Sequence, residues 1–209
     1  AHREEPVSGR DWSNPRQDRV QGLYAAKTDG LLIEQSLIDR NGWQFGYKDN
    51  GAYDASQPPS QYSHNLYINF GVRDVTLRDN VISRGASFGA NLRPGGVIDG
   101  NLFFGNNAAV NVLSGGRDNE GSFLGNNTLI IDTVATDPAN KMAVRIGARG
   151  WGITGNGGGA IADTIAAQDG TPLGDGPTGV RRPLDVRDTD TAGFARGRNT
   201  VFNWGEAAD

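Results

Sequence analysis

The chain carries two histidines, and one of them stands where it could do chemistry. His2 lies at the start of the chain. His64 opens the phrase Asn65-Leu66-Tyr67-Ile68, directly after a long polar and aromatic stretch. An imidazole titrates near neutral pH and can take or give a proton. Tyr62 and Tyr67 flank it with phenolic hydroxyls. Arg93 sits in a matching phrase, Asn91-Leu92-Arg93-Pro94. If Leu66 aligns with Leu92, Tyr67 and Arg93 fall in one outward column of adjacent strands, about 4.8 Å apart. Tyr24 would precede them by one repeat and Arg145 would follow. A guanidinium offers a planar fork to a carboxylate, the group that a uronic acid presents. The candidate catalytic residues are therefore His64, Arg93, Tyr67 and Tyr62. Trp43, Lys48, Arg84, Asn91 and Arg145 are the candidate substrate-binding residues. Each type has a plainer use as well: lone histidines pack in cores, and single arginines are usually solvated.

Other chemistries find little support. The spelling Gly85-Ala86-Ser87-Phe88-Gly89 fits a nucleophile elbow, but a hydrolase of that type needs its histidine after the serine. Asp185, Asp188 and Asp190 offer oxygen ligands for Ca²⁺, yet their spacing misses the EF-hand loop. The glycine run from Gly152 to Gly159 lacks a phosphate-binding lysine. Absence of cysteine removes thiol catalysis, thiolate metal sites and disulfides together. No cofactor is expected.

The elements that must position these residues announce themselves by repetition. An apolar residue, two spacers, Asn or Ser, one spacer and an apolar residue recur as Ile33–Ile38, Leu77–Ile82, Ile98–Phe103 and Leu124–Leu129. Ile153-Thr154-Gly155-Asn156 is a weaker copy. Repeats of this length mark stacked architectures, in which each unit buries its apolar face only against its neighbours. Short alternating stretches bounded by glycine, such as Asn65–Ile68 and Asn111–Ser114, read as strands with one buried face. Ile33, Leu77, Ile98 and Leu124 are expected in one internal column. Asn80, Asn101 and Asn127 are expected to stack at one corner. Asparagine tolerates left-handed backbone angles and bonds nearby main chain there.

Length and composition agree with one such domain. Glycine supplies 31 of 209 residues, which favours a chain that turns often over one built from long helices. The formal charge of −4 argues against a nucleic-acid partner. No apolar run is long enough for a membrane-spanning helix. No signal peptide is present in this chain, which begins with Ala1 and reads as a processed or excised piece of a larger parent. Residues 1–163 are expected to form the repeat domain, with the stretch from Gly42 to Ser63 as an inserted loop. Its Trp43, Phe45, Tyr47, Tyr53 and Tyr62 suit either a sugar platform or a lid over exposed edges. Residues 164–209 read as an irregular C-terminal wrapping segment or tail.

Over roughly residues 20–157 the Asn phrases, and the run from Asn80 to Gly96, resemble the right-handed parallel β-helix superfamily that includes pectate-lyase-like enzymes. The resemblance implies an all-β solenoid of about five to six coils. It implies an acidic polysaccharide as partner and a secreted, periplasmic or cell-surface location. The Ca²⁺-binding aspartates of pectate lyases and the paired aspartates of polygalacturonases have no match here by spelling. A metal-free lyase cleaving a uronic-acid glycan by β-elimination is therefore the leading expectation. In it Arg93, helped by Arg84 or Lys48, neutralises the uronate, His64 takes the α-proton, and Tyr62 or Tyr67 protonates the leaving oxygen. The alternative is a non-catalytic glycan-binding or structural module of a larger surface protein or tailspike.

Overall fold

The computed structural model describes residues 3–4, 21–44, 62–85, 87–106, 108–113, 123–126, 128–131, 148–154, 159–168, 181–187 and 194–204. All regular structure among these residues is β-strand, and every pairing is parallel. A small pair joins β1 (Arg3–Glu4) to β5 (Trp43–Gln44). The first large sheet holds β2 (Leu23–Ala25), β6 (Leu66–Ile68), β9 (Phe88–Leu92), β12 (Ala108–Leu113), β15 (Ala148–Thr154) and β18 (Arg181–Arg187). The second holds β3 (Leu32–Glu34), β7 (Thr76–Arg78), β10 (Gly96–Asp99), β13 (Phe123–Asn126), β16 (Gly159–Ala162) and β19 (Phe194–Gly197). The third holds β4 (Leu37–Asp39), β8 (Val81–Ser83), β11 (Leu102–Phe104), β14 (Leu129–Ile131), β17 (Ile165–Ala167) and β20 (Thr200–Phe202). The chain visits the three sheets in turn and returns to the first beside its own previous strand. One circuit is three strands, and each sheet counts six of them.

Successive residues of a strand point to opposite faces, so each sheet contributes columns of apolar residues to a shared interior. In the third sheet one column runs Ile38, Ile82, Phe103, Ile130, Ala166, Val201. Ile82, Phe103 and Ile130 are fully buried. In the second sheet the column runs Ile33, Leu77, Ile98, Gly125, Ile161, Arg196. The expected member Leu124 is displaced by one residue: it pairs with Val97, and Gly125 takes the inward position beside Ile98. A one-residue slip exchanges the two faces of a strand, and the doubled Asn126-Asn127 spelling concealed it.

The corner between the second and third sheets explains the recurring Asn. Ser36, Asn80, Asn101, Thr128, Thr164 and Asn199 immediately precede paired third-sheet residues and so form one column. The fourth member is Thr128 rather than Asn127, which lies outside the described residues. Ile153 belongs to the first sheet, opposite Val112 and Val186, so Ile153–Asn156 is not a further copy. The true fifth copy is Ile161-Ala162-Asp163-Thr164-Ile165-Ala166. The Asn80 carboxamide accepts the Ser36 N–H at 3.1 Å and donates to the Ile33 carbonyl at 2.8 Å. Asn101 accepts from the Asn80 N–H at 3.0 Å and donates to the Leu77 carbonyl at 2.8 Å. Among the described residues the left-handed one is the residue before five of these: Gln35, Asp79, Gly100, Asp163 and Arg198 have φ between 49° and 67°. Asn is therefore needed for its hydrogen bonds and not for its backbone tolerance. Each non-glycine residue held there costs about 1 kcal/mol or more, and the ladder bonds offset it.

A second carboxamide stack occupies the corner between the third and first sheets. Asn65 accepts from the Asn41 N–H at 3.1 Å, donates to the Ser83 carbonyl at 2.8 Å and reaches Asn106 at 3.2 Å. All three asparagines are buried.

The repeats do not stop at residue 163. Strands β17 to β20 extend all three sheets to Phe202, within the segment expected to be irregular. Trp204 is 2% exposed and its indole N–H donates to the Ala166 carbonyl at 3.1 Å. The spelling of the last circuit is masked by Arg196, which stands where four of the five earlier copies have Ile or Leu. The Gly- and Pro-rich stretch 169–180 also precedes it.

Candidate functional site

On the first sheet Leu66, Ile68, Ala90, Leu92, Val110 and Val112 enter the core. The pleat therefore turns the residues between them outward. The outward row reads Tyr24, Tyr67, Asn91, Asn111, Gly152, Asp185 in direct register. Its first members are aromatic. The Tyr24 and Tyr67 rings lie 5.6 Å apart at 34°, and Tyr24 is 55% exposed. The Tyr24 hydroxyl accepts a hydrogen bond from the Asn69 side chain at 2.7 Å.

Arg93 closes one side of this platform. Its main-chain N–H donates to the Ile68 carbonyl at 2.9 Å, which anchors the residue at the end of β9. Its guanidinium carbon stands 4.8 Å from the centre of the Phe70 ring, within cation–π range. Its Nε donates to the Tyr67 hydroxyl at 3.4 Å. The register that brings them together differs from the expected one. Leu66 pairs with Ala90 and Tyr67 with Asn91, so Leu92 lies opposite Ile68. The shift is two residues, which preserves which face each side chain takes. Arg93 therefore reaches Tyr67 diagonally. A small apolar residue before each outward Asn, in Ala90-Asn91-Leu92 and Val110-Asn111-Val112, was the signal for the correct alignment.

His64 is 3% exposed. Its ring lies 5.0 Å from Phe88 and 5.7 Å from Tyr67, centre to centre. Nδ1 accepts the Phe88 N–H at 3.4 Å, and Nε2 is 3.2 Å from the Asn91 carboxamide. The Asn111 NH₂ donates to the Asn91 carboxamide oxygen at 3.0 Å, which leaves the Asn91 nitrogen facing His64 Nε2. The three side chains form a buried polar chain running along the sheet beside the aromatic pair.

The other candidates divide. Tyr62 is 37% exposed, and its carbonyl accepts from the Gln21 side chain at 2.5 Å. Arg84 is bound in a fork to Asp39, with Nε at 2.8 Å and a terminal nitrogen at 2.5 Å. Burial opposes ionisation of Asp39, but hydrogen bonds from Arg84 and Ser83 outweigh it, with help from the Arg84 and Arg40 charges. The carboxyl is held below its ordinary value. Trp43 is placed by the β1–β5 pairing, opposite Arg3. Lys48, Arg145 and most of the loop expected to roof the site lie outside the described residues. Sequence reasoning passed over Phe70, Phe88, Asn69 and the place of Asp185 in the outward row. Among the described residues no group of three His, Asp or Glu side chains is arranged to hold a metal ion.

What the surface offers is an aromatic pair, a cation seated on a third aromatic ring, and buried carboxamides alongside. Aromatic faces suit the apolar face of a sugar ring, and a guanidinium suits its carboxylate. No protein-family model matches the chain, and no curated protein or solved structure shows significant similarity to it.

Proposed function

We propose that the chain is a right-handed parallel β-helix that binds an acidic, uronic-acid glycan on the outer face of its first sheet. Parallel strands joined by crossovers within one sheet are right-handed in nearly all proteins, and the sheet order supports a solenoid of six circuits. The observation carrying the glycan reading is the seating of Arg93 over Phe70, beside the half-buried Tyr67 and the exposed Tyr24 that its ring meets. A sugar ring stacks on the tyrosines while its carboxylate meets the guanidinium. Such a partner puts the protein at a cell surface or outside the cell.

Cleavage is the second reading, favoured by the Tyr67 hydroxyl standing next to the Arg93 cation. In β-elimination a base takes the proton α to the carboxylate, the bond from the β carbon to the leaving oxygen breaks, and a double bond forms between the α and β carbons. A hydroxyl returns a proton to the leaving oxygen. Arg93 would neutralise the carboxylate as charge develops, His64 would be the base and Tyr67 or Tyr62 the acid. His64 is the weakest part of this scheme, since both ring nitrogens face partners.

One experiment separates the two. The protein is titrated with a panel of uronic-acid polysaccharides and neutral controls, recording binding and the ultraviolet absorbance of an unsaturated product. Binding with no absorbance gain selects the binding module; absorbance gain that disappears in Tyr67→Phe selects the lyase. Equal affinity for neutral and acidic glycans, or none for either, removes both.

A further inference from the structure

Stacked sheets have two ends, and here the ends differ. At one end stand β2, β3 and β4, each with a single large-sheet neighbour among the described residues; at the other stand β18, β19 and β20. A terminal strand presents a row of N–H and C=O groups at the pitch of the next strand, and so invites another chain to pair with it. The inward residues of the first circuit are all apolar: Leu23, Ala25, Ile33 and Ile38 pack against the core cluster. The last circuit departs from this. Its inward position in the second sheet, filled by Ile33, Leu77, Ile98, Gly125 and Ile161 in earlier circuits, carries Arg196. Residues 195–202 are all exposed. Val201, whose column mates Ile82, Phe103 and Ile130 are fully buried, is 42% exposed.

We infer that Arg196 is a blocking charge that keeps a second copy of this chain from stacking its β2–β3–β4 end onto the β18–β19–β20 end. The occupant follows from the match between the two ends. Both offer parallel strands from the same three sheets, and β4 and β20 have equal three-residue lengths. A copy continuing the registers would set Val201 against the apolar Ile38 of its neighbour. It would also set Arg196 against Ile33, burying a guanidinium in an apolar column with no carboxylate beside it in that column. Burial of an unpaired charge outweighs the gain from the rest of the contact. Without that charge the contact repeats head to tail and does not close, so the product is an open filament. The inference depends on sheet order and exposure alone and is independent of the glycan reading.

The test is sedimentation velocity over a concentration series of the full chain. Wild type and Arg196→Lys should stay monomeric, while Arg196→Ile should show a weight-average mass climbing with concentration to roughly twice the monomer or beyond. Adding Val201→Lys to Arg196→Ile should restore the monomer, which ties the assembly to this end. Far-ultraviolet circular dichroism identifies a misfolded variant, and Arg196→Ala serves if the isoleucine protein does not fold. A folded Arg196→Ile or Arg196→Ala that remains monomeric at every concentration overturns the inference. So does assembly that persists with Val201→Lys, or a wild type that already assembles.

Discussion

Of the three stacks of asparagine that run along this molecule, one at a corner and one on the face of the first sheet use the same side chain differently. At the corner between the second and third sheets, Asn80 and Asn101 bond chiefly to main chain, tying each circuit to the next. On the outer face of the first sheet, Asn91 and Asn111 bond to side chains, one of them the histidine. The corner stack satisfies peptide groups that would otherwise be buried without partners, so its value is stability. The outer stack leaves the ladder bonds of its strands untouched and holds other side chains in place. Burial does not distinguish the two, since Asn91 at 5% and Asn101 at 2% are both buried. The identity of the partners does.

Breaking the corner should have the largest effect. Asn101→Ala deletes an acceptor used by the Asn80 N–H and side chain, and donors used by Leu77 and Asp99. A loss of about 1–3 kcal/mol is expected from buried groups left unpaired, read as a lower urea midpoint with an unchanged slope. An unchanged midpoint would remove the structural reading of this stack.

Arg93→Ala should do the opposite. Glycan affinity should fall about tenfold or more, as expected for loss of a charge-assisted contact worth about 1.5 kcal/mol or above. The unfolding midpoint should move little. Calorimetric titration beside a denaturant curve makes the comparison. A large drop in stability with affinity preserved would return Arg93 to a packing role.

Asn111→Ala should lie between these in kind and below them in size. It removes one side-chain bond from Asn91, worth about 1 kcal/mol, without exposing main chain. If it destabilises the protein as much as Asn101→Ala, the distinction between the stacks fails.

The smallest effect concerns the exposed acid–arginine pairs. Arg84 and Ser83 hold the Asp39 carboxyl below its ordinary value despite partial burial, and Arg198 holds Asp163 likewise. A depressed carboxylate pKa stabilises the fold above the unfolded value of about 3.9, and that contribution is lost as pH falls through the lower folded value. Asp39→Asn should therefore lower stability at neutral pH by less than about 1 kcal/mol after solvent screening. Wild type and variant should converge in acid and in high salt. Curves that stay separated at low pH would show that Asp39 acts by packing and not by charge.

The sequence alone determined that the chain is built of short strands and turns, and that a polar residue recurs at one corner. Those facts are local: an apolar residue, a bend and an Asn lie within six positions of each other in Ile98–Phe103. It also determined that Tyr67, Arg93, Asn91 and His64 belong to neighbouring strands, because their phrases are spelled alike. Only tertiary structure decided the register. Pairing Leu66 with Ala90 and Val97 with Leu124 depends on which residues stack one circuit away, and corner loops of unequal length hide that spacing from any fixed period. Tertiary structure also decided that His64 lies beneath the surface with both ring nitrogens facing partners, and that Arg84 is held by Asp39. A histidine's spelling is the same whether it meets solvent or an asparagine. Which of these it meets is set by contacts more than twenty residues away along the chain.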